Sequence, residues 1–266
     1  MRRALTRCPC IRGVAYDRAV TQSYRGTELG DVDMSNATFR ETDLSNVRMR
    51  GVLLFNADID GAIDGLKVNG VEVLPLIEAE LDRRHPERAA MRRPTTPEGV
   101  VAACDLVEAM WTPTIERAVA QDAVHRSVDG EWSMAETLRH LVFVTDAWFG
   151  HAVQGEPRPY HPLGLPASFD PNAATYGIDT AATPTIEEVL EARASRLAWL
   201  RRFGASASQE DLERLRDPNP EPGYPPAKAR TAIECLHVVF NEEWAHHWFA
   251  ARDLAIIEAG GPPDLG

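Results

Sequence analysis

The chain has 266 residues, ordinary proportions of apolar (44%) and charged (26%) residues, and a formal charge of −12. At roughly 150 residues per domain this is about 1.8 domains, room for one large unit or for a medium and a small one. No apolar stretch reaches the ~18 residues of a membrane-spanning helix, and so acidic a chain suits neither nucleic acid nor an anionic membrane, both of which select cations.

Arginine outnumbers lysine 26 to 2. The arginines occur singly or in pairs such as Arg2-Arg3 and Arg92-Arg93, so they read as GC-rich coding bias and not as a binding arm. Residues 1–34 read as an N-terminal tail. Its start, MRRALTRCPC, is charged but lacks the ~7–15-residue apolar core of a secretory signal. Four cysteines (Cys8, Cys10, Cys104, Cys235) are too few and too dispersed for a disulfide scaffold. The expected setting is a bacterial cytoplasm with reduced thiols, with Cys8-Pro9-Cys10 inert.

Phe39, Leu44, Met49, Leu54 and Ile59 follow at intervals of five, each preceded two residues earlier by Ala37, Thr42, Val47, Val52 or Ala57. Five is the period of neither helix nor strand. It suggests a solenoid that stacks one large and one small residue per unit inward. Over about residues 35–73 the segment resembles the pentapeptide-repeat family. That resemblance implies a right-handed quadrilateral β-helix of one to two coils, a short cap docked on the next domain. Some long members of the family mimic DNA and engage a topoisomerase. The module is assigned to 35–83, with a last strand from Val71 and a short helix. Residues 84–96 (RHPERAAMRRPTT) are assigned as a linker.

From residue 97 the pattern is helical. Val100, Val101, Cys104, Val107, Met110, Trp111 and Ile115 have the 3/4 spacing of an amphipathic helix over 97–120. Ser133-Met134-Ala135-Glu136 is a capping box that starts a second helix running to about 152. A loop of about 30 residues follows, long enough to suggest a functional cover. Thr183-Pro184 predicts a third helix to about Phe203, ended by Gly204. A short helix at 209–216 and a Pro/Gly-rich loop precede a fourth long helix at about 230–258, with 259–266 as a tail. The expected fold is mainly α: an up-down four-helix bundle (97–258) with long connections, preceded by the small β-helix-like cap.

The fourth helix carries the densest polar cluster, Asn241 to His247. Glu242 and His246 are spaced i,i+4, as are Glu243 and His247, so each pair shares a face. With Val239 marking the core direction, Glu242 and His246 lie about 60° and 20° to one side, and Glu243 and His247 about 40° and 80° to the other. Both pairs border the core, and periodicity slightly favours the first. A carboxylate and an imidazole facing a core are costly unless paired or bound to metal. His140 on the second helix, in line with Leu141, Val144 and Ala147, offers a third ligand. Two histidines and a carboxylate suit Zn²⁺, Ni²⁺ or Fe²⁺, with positions left for water or substrate.

The blocks Glu131-Trp132-Ser133 through Leu141 and Asn241 through His247 resemble the DinB/YfiT-like bundle superfamily, over about residues 97–258. In that family one histidine of the second helix and a pair spaced four apart on the last helix bind a divalent metal. Most members use three histidines. The mycothiol-dependent maleylpyruvate isomerase branch has Glu first in the pair, as this chain does. The resemblance implies His140, Glu242 and His246 as ligands, with Glu243 and His247 the alternative register. It also implies a metal-dependent transferase or isomerase that activates a low-molecular-weight thiol such as mycothiol. The partner expected is a small-molecule substrate, with a homodimer conceivable.

The alternative is a non-catalytic adaptor with a structural metal and a partner-binding repeat module. A member without metal is also left open by the two registers. His85, His125, His151, His161 and His237 are expected at the surface or in loops, and Cys104 and Cys235 in the core. Five tryptophans, Trp132 among them, are expected to pack helices, while Trp248 falls on the polar side of its helix.

Overall fold

A left-handed residue at nearly every fifth position sets the path of the N-terminal segment. Gly26, Asn36, Asn46 and Asn56 have φ of 73°, 60°, 62° and 59°, and Asp31, Gly51 and Gly61 punctuate between them. Glycine and asparagine are the residues that enter this region at least cost. Each of the first set is the third residue of a turn closed by a backbone bond, such as Ala37 N–H to Met34 O and Val47 N–H to Leu44 O. Asp33 and Asp43 accept from the amides of Ser35 and Ser45, which starts two of the turns. This computed structural model describes residues 22–39, 42–166 and 173–260.

The period of five is therefore expressed as a turn per repeat, but the expected inward stacking is not. Phe39, Leu44, Met49, Leu54 and Ile59 are all exposed. Among the described residues, the backbone bonds of this segment close turns, and none joins residues twenty apart as stacked coils would. The segment ends in a two-residue hairpin, β1 (Lys67–Val68) against β2 (Val71–Glu72).

Helix α1 (Leu74–Arg84) follows, and then α2 (Pro86–Arg92), which lies where a linker was expected. Its sequence hides the helix because one of its two buried residues is charged. Arg88 is buried by pairing with Glu78 and Asp82 of α1, and Met91 enters the core. α2 packs on α3 and on α7, so it belongs to the bundle.

The four long helices are α3 (Pro97–Ala120), α4 (Met134–Thr145), α5 (Ile186–Ser206) and α7 (Ala232–Glu258), with a short α6 (Gln209–Glu213) before the last. α4 continues into a π-helical turn, Asp146–His151. Each long helix packs on two others: α3 and α4 both touch α5 and α7, and face each other across the diagonal. Capping boxes start α4 (Ser133/Glu136), α5 (Thr185/Glu188) and α7 (Thr231/Glu234). Each such cap contributes about 1 kcal/mol. The third helix starts after Thr185 and not at Pro184, and Gly204 does not stop it. A Cβ on Gly204 would lie 3.0 Å from Pro97 O and Val101 Cγ2, so this glycine serves close packing of α5 on α3. Among the described residues no helix is long and apolar enough to cross a membrane.

Candidate metal centre

Two helices and a loop bring three ligand atoms together. His140 comes from the middle of α4, held in phase by Leu138 and Leu141, both fully buried. Glu242 and His246 come from one face of α7. One ligand atom from each lies within 4.8 Å of the other two, a little over twice a ~2.0–2.2 Å metal bond. Glu242 Oε2 is 3.2 Å from His246 Nε2 and 3.8 Å from His140 Nε2. All three side chains are buried, with exposures of 3%, 1% and 1% for His140, Glu242 and His246.

The backbone carbonyl of Leu165 lies 2.9 Å from His140 Nδ1. A carbonyl can only accept, so Nδ1 carries the proton and Nε2 presents its lone pair to the centre. The loop that supplies this carbonyl is tied to α4 by the preceding residue. Arg139 donates to the carbonyls of Leu163 (2.8 Å), Ala182 (2.7 Å) and Asp179 (3.0 Å). The His140 and His246 Nε2 atoms are buried without a hydrogen bond. Two buried imidazole nitrogens around a carboxylate form a donor set suited to a borderline divalent cation.

Residues 73–250 match the DinB superfamily. The chain belongs to the DinB superfamily. A second match covers residues 25–63 with eight copies of the pentapeptide repeat. The repeats thus begin ten residues before the expected 35, and the DinB region begins at α1. No curated protein and no solved structure matches the chain. In the DinB frame, the expected divalent-metal site falls where α4 and α7 meet.

In the DinB centre, burial pushes His246 down, towards the neutral ring that a metal requires. Trp132 covers the pair. Its ring lies 4.8 Å from His140 and is stacked on His246 at 6.1 Å and 25°. Sequence reasoning counted Trp132 only as helix packing; its place just before the Ser133 cap is what aims it over the second turn of α4.

The alternative register is engaged elsewhere. Arg193 of α5 donates to both oxygens of Glu243, at 3.0 and 2.9 Å, and Trp111 Nε1 donates to Oε2 at 2.8 Å. The guanidinium also lies 5.4 Å over the Trp111 ring. His247 Nε2 is 2.9 Å from Thr114 Oγ1, and burial pushes its pKa down to about 4. Arg193 was missed, yet a signal existed: it falls four residues after Val189 and seven before Leu200, a cation within the apolar stripe of α5.

The other histidines divide. His151 was expected at the surface but is buried at the end of the π-helical turn, against Asn219 Nδ2 at 3.0 Å. His85 packs edge-on against Trp244 and Trp248, and His237 lies 2.8 Å from the Pro94 carbonyl. Cys104 and Cys235 are buried thiols, as expected. Cys8 and Cys10 lie outside the described residues.

Proposed function

We propose that the bundle is a divalent-metal-dependent enzyme, with His140, Glu242 and His246 holding zinc, nickel or iron and a low-molecular-weight thiol as co-substrate in a transfer or isomerisation. The observation that carries this reading is the convergence of three buried donors, with the His140 tautomer set by the Leu165 carbonyl. A structural zinc site is closed by four ligands, and the described residues supply three, which favours a site that admits an outside ligand. When bound, a divalent ion lowers the pKa of a water or thiol beside it and so supplies a nucleophile at neutral pH. The chain itself supplies two neutral imidazoles and one carboxylate, which leave a dication with a net positive charge. Trp132 packs its ring against both histidines. The thiol, mycothiol being one candidate, rests on the Glu-first ligand pair that the chain shares with the mycothiol-dependent branch.

Metal analysis of the purified chain tests the proposal. Near-stoichiometric metal is expected in the wild type and is lost in His140→Ala, while chelator lowers the melting temperature of the wild type alone. A metal-free wild type whose melting ignores chelator defeats it. Adding the thiol to protein loaded with Co²⁺ should then perturb the visible spectrum; an unchanged spectrum removes the thiol from the reading.

A second reading, an adaptor with a structural metal, is favoured by the exposed apolar side chains of the repeat segment. Removing the residues before Leu74 separates the two, because an adaptor loses its partner while the bundle keeps its metal. The cut belongs there since α2 packs into the bundle.

A further inference from the structure

Arg252 of α7 gathers three parts of the chain around one guanidinium. Its Nη1 holds Asp60 Oδ2 at 3.1 Å, its Nη2 holds Glu131 Oε2 at 2.5 Å, and its Nε holds Asp253 Oδ1 at 2.8 Å. Asp60 lies within the matched repeats, residues 25–63. The same guanidinium stands over the Phe249 ring, 5.4 Å from its centre. Two of these contacts reach the candidate ligands in one further step. Phe249 is edge-on to His246 at 5.9 Å, and Glu131 immediately precedes Trp132, whose ring packs on both His140 and His246.

We propose that Arg252 is a positioning residue for the metal centre: it sets the places of the Trp132 and Phe249 rings against the ligand histidines, and Asp60 makes the repeat segment part of that hold. This role rests on the metal-binding reading above and deepens it. The backbone around Trp132 gives a side chain at Glu131 control over the ring. On one side of Trp132, Ser133 is fixed as the cap of α4 by its capping box. On the other, Glu131 is tied by its N–H to Val128 O at 2.9 Å and by its carboxylate to Arg252. Trp132 also lines an open cleft with Met134, Ala250, Asp253 and Leu254, which leaves space beside it. Electrostatics act in the same direction. Without the guanidinium, the carboxylates of Asp60, Glu131 and Asp253 converge as like charges and Glu131 is driven from its place. The two rings donate nothing to a metal. They keep the His246 imidazole between a stacked neighbour and an edge-on one, so that its Nε2 stays aimed at Glu242 and His140. Groups that orient a ligand imidazole from outside tune how firmly a metal is held.

Two readouts on the full chain test the proposal. The indole N–H of Trp132, identified in a ¹H–¹⁵N spectrum by its loss in Trp132→Phe, reports the surroundings of the ring before any metal is added. Arg252→Met and Asp60→Asn should both shift that signal, and Arg252→Lys, which keeps the charge, should lie closer to wild type than Arg252→Met. Release of Co²⁺ to excess chelator, followed by loss of visible absorption, is the second readout. It should be about tenfold faster in Arg252→Met, at the low end of outer-shell effects on metal sites. Asp60→Asn should show a smaller rise in the same direction. Asp60 is half-exposed, so its variant decides the matter even where Arg252→Met fails to fold. A wild type that binds Co²⁺ while Asp60→Asn leaves either readout unchanged overturns the proposal and leaves the metal-binding reading intact. A wild type that binds no Co²⁺ defeats both.

Discussion

Arg193→Met isolates the energetics of the ion pair beside the candidate metal centre. Arg193 and Glu243 are 7% and 3% exposed at their side chains, and the guanidinium supplies two of the three hydrogen bonds that the carboxylate receives. Methionine keeps most of the volume but leaves Glu243 with Trp111 Nε1 as its donor in that cluster. Breaking a buried pair from one side costs about 3–5 kcal/mol. For a unit of this size a destabilisation of 1 kcal/mol lowers the melting temperature by roughly 2–4 °C, so a drop of about 6–20 °C is expected. Adding Glu243→Met removes the stranded charge and should return stability to within about 1 kcal/mol of wild type, since a well-packed apolar pair replaces a buried ion pair at little cost. Urea denaturation followed by far-ultraviolet circular dichroism measures all four corners of the cycle. A single variant within about 1 kcal/mol of wild type, or a double variant no better than the single, would refute the assignment of Glu243 as a buried charge that depends on Arg193.

Asp146 should impose a pH dependence. It is fully buried, and burial pushes its carboxyl up to about 6 from an ordinary 3.8, with Arg196 and the His161 amide opposing. A folded-state pKa above the unfolded one means that stability is highest below pH ~4 and falls as pH rises towards ~6. The loss through this group is roughly 3 kcal/mol, and Asp146→Asn should flatten that slope in urea melts across the window. Cys104 and Cys235, both pushed up to about 12 by burial, should resist a thiol-specific disulfide reagent at neutral pH in the native state and react after denaturation. Gly150→Ala should destabilise by about 1–3 kcal/mol in thermal melts despite the better helix former. The added methyl would lie 2.6 Å from Pro159 Cβ and 2.9 Å from Trp199 Cη2.

Local signals predicted local structure well. The 97–120 helix has the expected bounds because Thr96-Pro97 starts it and a regular apolar stripe sustains it, and the Ser133 capping box opens α4 where expected. Failures came where a distant residue decides. Gly204 reads as a stop until α3 is laid against it, and 86–92 reads as linker until Glu78 and Asp82 neutralise Arg88. The candidate site follows the same division. Helical phase put both Glu/His pairs of α7 at the edge of the core, but periodicity could not show that Arg193 and Trp111 hold Glu243 while His140 meets Glu242 and His246. The five-residue period of the N-terminal segment is likewise a local property. Whether its side chains are covered depends on what stacks against them, which a period cannot state.

The proton on His140 Nδ1 is held by a main-chain oxygen, and this has a consequence for how the loop can change. Every amino acid brings the same carbonyl, so residue 165 can be replaced without removing the acceptor, provided that Arg139 keeps the loop backbone in place. Selection is then free to vary the side chains of that loop, and with them the approach to the centre, while the imidazole keeps its tautomer. In this bundle, diversification of the loop and preservation of the ligand are separable tasks.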